Sequence, residues 1–237
     1  MSNNPTPIPK SEMYASGEYL KKHPMWHSED SQWKAKQILK MANNHNLKPQ
    51  TICEVGCGAG EILSQLQANM AQNCMFIGYE ISPQAFEVCK GRANKRLRFE
   101  IKDISQEADD SFDLLLFIDV IEHIEDYLGF LRNVRTKGRY KIFHIPLEFT
   151  SMGALRRWPQ GNWDDLGHIH YFIKGTALRS LRDAGYTILD CFYTLLSDNP
   201  PSQPPLILKF LRKVTFPISN DLSVRLFGGC SLLVLAE

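Results

Sequence analysis

The run TICEVGCGAGEI at positions 51–62 restricts the fold of this chain more than any other stretch. Thr51–Val55 reads as a short, mostly apolar strand with one acid, Glu54, next to its end. Glycines follow at 56, 58 and 60, and then Ile62, Leu63, Leu66 and Met70 recur at helical spacing over 61–70. Glycine accepts positive φ and lets a ligand or a neighbouring segment come close to bare backbone. A helix that starts behind such a turn presents unpaired N–H groups and the positive end of its dipole. A strand, a glycine turn and a helix in that order make the ligand-binding corner of an α/β sheet.

The same alternation continues downstream. Strands are expected at 75–80, 97–101, 112–118, 140–145, 186–196 and 230–236, and helices at 83–89, 121–134 and 174–184. FDLLLFI at 112–118 is apolar almost throughout, as a central parallel strand covered on both faces must be. Ser82 is the candidate N-cap of its helix with Pro83 at the first helical position, and Gly185 is a natural C-cap. Upstream, 14–46 is a helical segment rich in aromatics (Tyr14, Tyr19, Trp26, Trp33), with Ile38, Leu39 and Ala42 on one face. These units predict an α/β fold with a mostly parallel sheet. Residues 1–46 are expected to form a tail and helical cover, and 47–237 the main domain, in which 148–171 and 197–222 cover the ligand side. The basic, apolar stretch 206–227 reads as a helix packed on the sheet.

Composition narrows the function. The chain is 43% hydrophobic and 22% charged, with 27 basic and 26 acidic side chains for a net charge of +1. Proteins that hold bulk nucleic acid carry a basic excess that this chain lacks. Six cysteines, at 53, 57, 74, 89, 191 and 230, include no C-x-x-C pair, so thiols in a reducing, cytoplasmic setting are expected and no metal is assigned. Residues 1–10 are polar and proline-rich, unlike a signal peptide, and no apolar run is long enough to span a bilayer.

The glycine turn is compatible with several nucleotides and the residues around it discriminate. A P-loop needs Lys and Ser or Thr after its last glycine, whereas Gly60 is followed by Glu61 and Ile62. A dinucleotide fingerprint needs a small third residue at 61, where Glu61 would face the pyrophosphate. Acids at four successive strand ends, Glu54, Glu80, Asp103 and Asp119, suit instead a ligand with ribose hydroxyls and a positive charge. Glu80 stands where a carboxylate accepts two ribose hydroxyl protons.

EVGCGAG (54–60), YEIS (79–82), KDI (102–104) and FIDVIEHIED (117–126) together resemble the class I S-adenosylmethionine-dependent methyltransferases, over about 50–145. Val120, Glu122 and His123 match the V-x-E-H form common in small-molecule members. The resemblance implies a Rossmann-like, seven-stranded sheet with the last strand antiparallel, and S-adenosyl-L-methionine as cofactor. It implies that the backbone around Glu54, Gly56, Cys57 and Gly58 wraps the amino-acid part of the cofactor. It further implies that Glu80 holds the ribose hydroxyls and Ile81 packs on adenine. Asp103 accepts from the adenine amino group, Ile104 offers a backbone N–H, and Asp119 and Val120 lie near the ribose or methionine. Gly60 serves helix packing.

On the acceptor side, His123 is a candidate base or a capping residue. His168 and His170, in DDLGHIHYF, are candidates for base, substrate contact, structural hydrogen bonding or, with Asp164 and Asp165, a metal site. Dense aromatics, including Trp158, Trp163 and Tyr171, predict an enclosed apolar pocket for a small molecule, and Arg156 and Arg157 are candidates to pair with an acidic group. No N-P-P-Y-type motif follows the fourth strand. The expected function is methyl transfer to a small organic acceptor, at oxygen before nitrogen or carbon. The alternatives are an RNA or protein methyltransferase and a cofactor-binding regulator without turnover.

Overall fold

Along Phe112–Ile118 the side chains divide between two cores: Leu114, Leu116 and Ile118 enter one, Leu115 and Phe117 the other. Leu114 to Phe117 are at most 1% exposed, so each large side chain contributes about 1.5–3 kcal/mol of apolar burial. This strand is the middle of a seven-stranded sheet. The structure is a computed structural model that describes residues 28–107, 111–155, 167–195 and 206–237. Its strands are β1 (Thr51–Val55), β2 (Met75–Glu80), β3 (Leu97–Ile101), β4 (Phe112–Ile118), β5 (Gly138–Pro146), β6 (Ile188–Leu195) and β7 (Cys230–Ala236). Their order is β3-β2-β1-β4-β5-β7-β6. All pairings from β1 to β5 are parallel, while β7 lies antiparallel between β5 and β6.

The described helices are α1 (Ser31–Asn44), α2 (Glu61–Asn69), α3 (Pro83–Cys89), α4 (Tyr127–Val134), α5 (Ser151–Leu155), α6 (Lys174–Asp183), α7 (Leu206–Thr215) and α8 (Asn220–Phe227). Ala35, Ile38 and Met41 of α1, Leu63 and Leu66 of α2 and Cys89 of α3 fill the core on one face. Leu131 and Val134 of α4, Ala177 and Leu181 of α6 and Val224 of α8 fill the other. This is the seven-stranded Rossmann-like architecture with helices on both faces and the last strand antiparallel. Ser82 caps α3 by accepting from the Ala85 N–H with Pro83 behind it, and Gly185 ends α6 at φ +93°. No disulfide joins the cysteines among the described residues, and no described helix is long and apolar enough to cross a membrane.

Two expected helices divide. Residues 121–134 form a 3-10 turn at Ile121–His123 and then α4. The Glu122 carbonyl accepts from Ile169 and His170 N–H at 2.9 and 3.1 Å, so it is turned away from its own helix, and Asp126 restarts the helix by accepting from Gly129 N–H. The stretch 206–227 is likewise two helices, α7 and α8, with Ser219 capping the second. Of the expected cover, Tyr14, Tyr19, Trp26, Arg156, Arg157, Trp158 and Trp163 lie outside the described residues.

Candidate cofactor and acceptor site

The chain leaves β1 toward β2 and β3 on one side and returns to β4 on the other. The carboxyl ends of β1 and β4 therefore flank the crevice where open α/β sheets take their ligands. The glycine turn lies there. Gly56, Gly58 and Gly60 have φ of +67°, +51° and +74°, a left-handed run that a chain of L side chains rarely adopts. Gly56 and Cys57 N–H both donate to the Tyr79 carbonyl, at 2.8 and 3.1 Å. Val120 packs on the turn, its Cγ2 3.3 Å from where a Gly56 Cβ would stand. A Cβ on Gly60 would stand 2.6 Å from the Phe99 ring, and one on Gly78 of β2 would stand 2.5 Å from the same ring. Phe99 thus lies across two bare glycines, and Gly60 permits the start of α2 to pack.

The sheet order sets the four acids in one row, Asp103, Glu80, Glu54 and Asp119, across roughly 14 Å of rim at three strand spacings. Glu80 is 5% exposed and is held by three amides: Gly58 N–H donates to Oε2 at 2.8 Å, and Ile81 and Ser82 N–H donate to Oε1 at 2.9 and 2.8 Å. Burial raises its pKa and these amides partly offset it. A carboxylate fixed this way keeps its remaining lone pairs in a set direction, as a pair of ribose hydroxyls requires. Ile81 beside it is 60% exposed, an apolar surface available to a base.

Glu54 is 2% exposed and its Oε2 has no hydrogen-bond partner among the described residues. Burial drives its pKa well up, Lys34 draws it down, and Glu80 adds to the rise. A buried carboxylate oxygen without a partner is costly, and a ligand ammonium would relieve it. The residues therefore fit S-adenosylmethionine at both ends. Asp103 is engaged locally: Oδ1 accepts from Ser105 N–H and Oγ at 2.9 and 2.7 Å, and Oδ2 from Gln106 Nε2 at 3.0 Å. It shapes the turn whose Ile104 is fully buried.

Asp119 has φ +55° although it is not a glycine, and strain of that kind collects at functional sites. Its Oδ1 accepts from His144 Nδ1 at 2.6 Å and its Oδ2 from Lys34 Nζ at 2.8 Å. Burial would raise the Asp119 pKa, but His144 and Lys34 outweigh it and hold the carboxyl well below the usual range. Burial likewise opposes the Lys34 charge, and Asp119 with Asp30, 3.0 Å away, overcomes it. His144 Nε2 lies 3.0 Å from Thr194 Oγ1, and Trp33 meets the imidazole edge-on at 6.1 Å. The N-terminal helix α1 thus reaches into the site. Lys34 and His144 are not evident from motif spacing. Their signals are a lysine on the α1 face that carries Ile38 and Met41, and a histidine set between apolar residues in the buried run of β5.

The histidines separate. His123 and His168 meet edge to face with ring centroids 4.8 Å apart. His123 Nδ1 lies 3.2 Å from the Gly167 carbonyl, and His168 Nδ1 is 2.8 Å from Glu148 Oε2. Glu122 is fully buried beside them, with neither carboxylate oxygen hydrogen-bonded among the described residues; burial and nearby Asp119 hold its pKa well up. His170 instead packs on Tyr127, and its Nε2 donates to the carbonyls of Ile124 and Glu125 at 2.9 and 3.2 Å. Asp164 and Asp165 lie outside the described residues.

Comparisons with known proteins identify the family. A family described as "Methyltransferase domain" matches residues 25–190, well over half of the chain. Among solved structures, the chain is similar to the N-methyltransferase NodS of Bradyrhizobium japonicum WM9 with S-adenosyl-L-homocysteine. Identity is 16% and TM-score 0.62, over 96% of this chain and 97% of that one. It is similar to the [4+2]-cyclase SpnF at 14% identity and TM-score 0.65, over 99% and 98%. It is also similar to magnesium protoporphyrin IX methyltransferase of Synechocystis PCC 6803, at 15% identity and TM-score 0.59, over 86% and 82%. With the glycine turn, the held Glu80 carboxylate and the orphaned Glu54 oxygen in place, the chain belongs to the methyltransferase-domain family and is an S-adenosylmethionine-dependent methyltransferase.

Proposed function

We propose that the enzyme methylates a small organic acceptor at an oxygen. The observation that carries this reading is the cluster of Glu122, His123, His168 and Glu148, built just beyond Asp119 on the cofactor rim. A neutral amine needs no proton removed before it attacks a methyl group, whereas a hydroxyl does. Glu148 fixes the His168 ring through Nδ1, so Nε2 is the nitrogen left to take part in proton removal.

Bound S-adenosylmethionine supplies an activated methyl group on a sulfonium. The histidine cluster would accept the hydroxyl proton as the acceptor oxygen takes the methyl group, and the bonding electrons would stay with sulfur in a neutral thioether. Glu80 and Glu54 fix the two ends of the cofactor, Lys34 and His144 keep Asp119 in its strained backbone, and the Phe99–glycine contact sets the turn. The protein contributes alignment and removal of water, which is where most of the rate in such a displacement arises. The near-neutral charge of the chain favours a small acceptor over RNA.

The test is formation of S-adenosylhomocysteine with panels of phenols, aliphatic alcohols, carboxylic acids and amines. Turnover is expected with a hydroxylated class, and His168→Ala is expected to lower it about 100-fold or more while cofactor affinity stays unchanged. Turnover confined to amines would overturn the reading.

A further inference from the structure

We propose that Glu122, His123 and His168 bind a divalent first-row transition-metal ion. One ligand atom from each of the three lies within 4.8 Å of the other two, close enough to share an ion after small rotations. The donor set is two imidazole nitrogens and one carboxylate, which suits zinc, manganese or iron(II) and not a calcium or magnesium cage of oxygens. Three protein ligands leave positions for an exchangeable ligand, the arrangement of a working site rather than a structural one.

The surroundings are those of a metal site. His168 donates Nδ1–H to Glu148 at 2.8 Å, the carboxylate–histidine arrangement that orients a ligating ring and makes Nε2 a better donor. His123 Nδ1 is placed against the Gly167 carbonyl in the same manner. The Glu122 carboxylate is fully buried and both its oxygens lack partners among the described residues, an expensive arrangement that a cation would satisfy. The backbone is stitched for the purpose. Ile169 and His170 N–H both bond the Glu122 carbonyl, which fixes the segment carrying His168 against the turn carrying Glu122 and His123. His170 is excluded by its own bonds to Ile124 and Glu125.

An ion here would take the His168 Nε2 lone pair, and in place of a free imidazole it would promote proton loss by lowering the pKa of an acceptor hydroxyl bound at its open position. Two adjacent oxygens, as in a catechol or a vicinal diol, would fill two such positions. This acceptor role rests on the oxygen-methylation reading above; the binding of the ion does not.

The test titrates chelator-treated full-length protein with Co2+, followed by its visible d–d absorption, and then with Zn2+ as competitor. One equivalent of Co2+ displaced by Zn2+ is expected. Glu148→Gln should weaken binding about 10- to 100-fold, and Glu122→Gln and His168→Ala at least tenfold, while His45→Ala, on the far end of α1, keeps wild-type affinity. Binding of S-adenosylhomocysteine confirms that each variant is folded, and Zn2+ should raise the melting temperature of the wild type whether or not a variant folds. No absorption at millimolar Co2+ would overturn the site, as would equal affinity in His168→Ala, or sulfur-to-cobalt charge-transfer bands that place the ion on cysteines. Those outcomes leave oxygen methylation standing on the imidazoles; an amine-only acceptor profile removes that reading whatever the metal result.

Discussion

Replacing Gly60 by alanine separates backbone strain from crowding. Gly60 has φ +74°, where an L residue costs about 1–2 kcal/mol. Its new Cβ would stand 2.6 Å from Cε1 and Cζ of Phe99 and 3.0 Å from Cys89 Cβ, inside ordinary contact, and overpacking of that kind costs about 1–3 kcal/mol. Gly60→Ala should therefore lose about 2–5 kcal/mol in urea unfolding. Phe99→Leu removes the two ring atoms concerned. In that background Gly60→Ala should cost about 1–3 kcal/mol, the strain with the remaining Cys89 contact, leaving a coupling of roughly 1–2 kcal/mol in the double-mutant cycle. Calorimetric titration with S-adenosylhomocysteine on the same four proteins reports whether the cofactor corner follows. An identical cost of Gly60→Ala in both backgrounds would refute the packing argument, and a cost below about 0.5 kcal/mol would refute both parts.

Glu80→Ala should weaken S-adenosylhomocysteine binding about 10- to 100-fold through loss of charge-assisted hydrogen bonds, read by calorimetry; unchanged affinity would remove Glu80 from the ribose. Lys34→Met should destabilise the fold by about 2 kcal/mol, because the half-buried Asp119 keeps its charge with one cation gone; denaturant midpoints matching the wild type would contradict this. Lys141, 3% exposed in β5, has its pKa pulled from 10.5 to about 8 by burial and by Arg135. Between those values the unfolded chain holds more protons, so stability should rise from pH 8 toward 10.5 by at most about 3 kcal/mol. Lys141→Met should flatten that rise, and an unaltered slope would assign it elsewhere.

Strand positions were legible because each is a short apolar run bounded by turn residues, and β1, β2, β3, β4 and β7 have the expected bounds. The glycine turn and the acids beside it were legible for a related reason: each is local to a single strand end. What pattern could not show were contacts between distant segments. The 121–134 helix breaks because the Glu122 carbonyl bonds residues 169 and 170, some 47 positions on. Lys34 finds Asp119, and His144 finds Thr194, only once the sheet exists. His168 and His170 look equivalent at a spacing of two, yet one meets His123 and the other Tyr127. Their difference lies in the neighbours that the fold supplies.

The place of β7 has a bearing on how the protein comes to exist. The sheet is finished from within by residues 230–236, which a ribosome makes after both neighbours. The glycine turn and the Glu80 carboxylate are held by contacts from residues 56–82 and Val120, so they can form while synthesis continues, whereas Asp119 waits for His144 of β5. β6 has no strand partner among the described residues until Cys230 to Ala236 emerge, and β5 meanwhile shows an open edge of the kind that recruits other chains. The His144–Thr194 contact bridges two strands that only β7 brings into one sheet. A nascent chain interrupted before residue 230 would thus own a methyl-donor pocket without the buried histidine contact that supports it from behind.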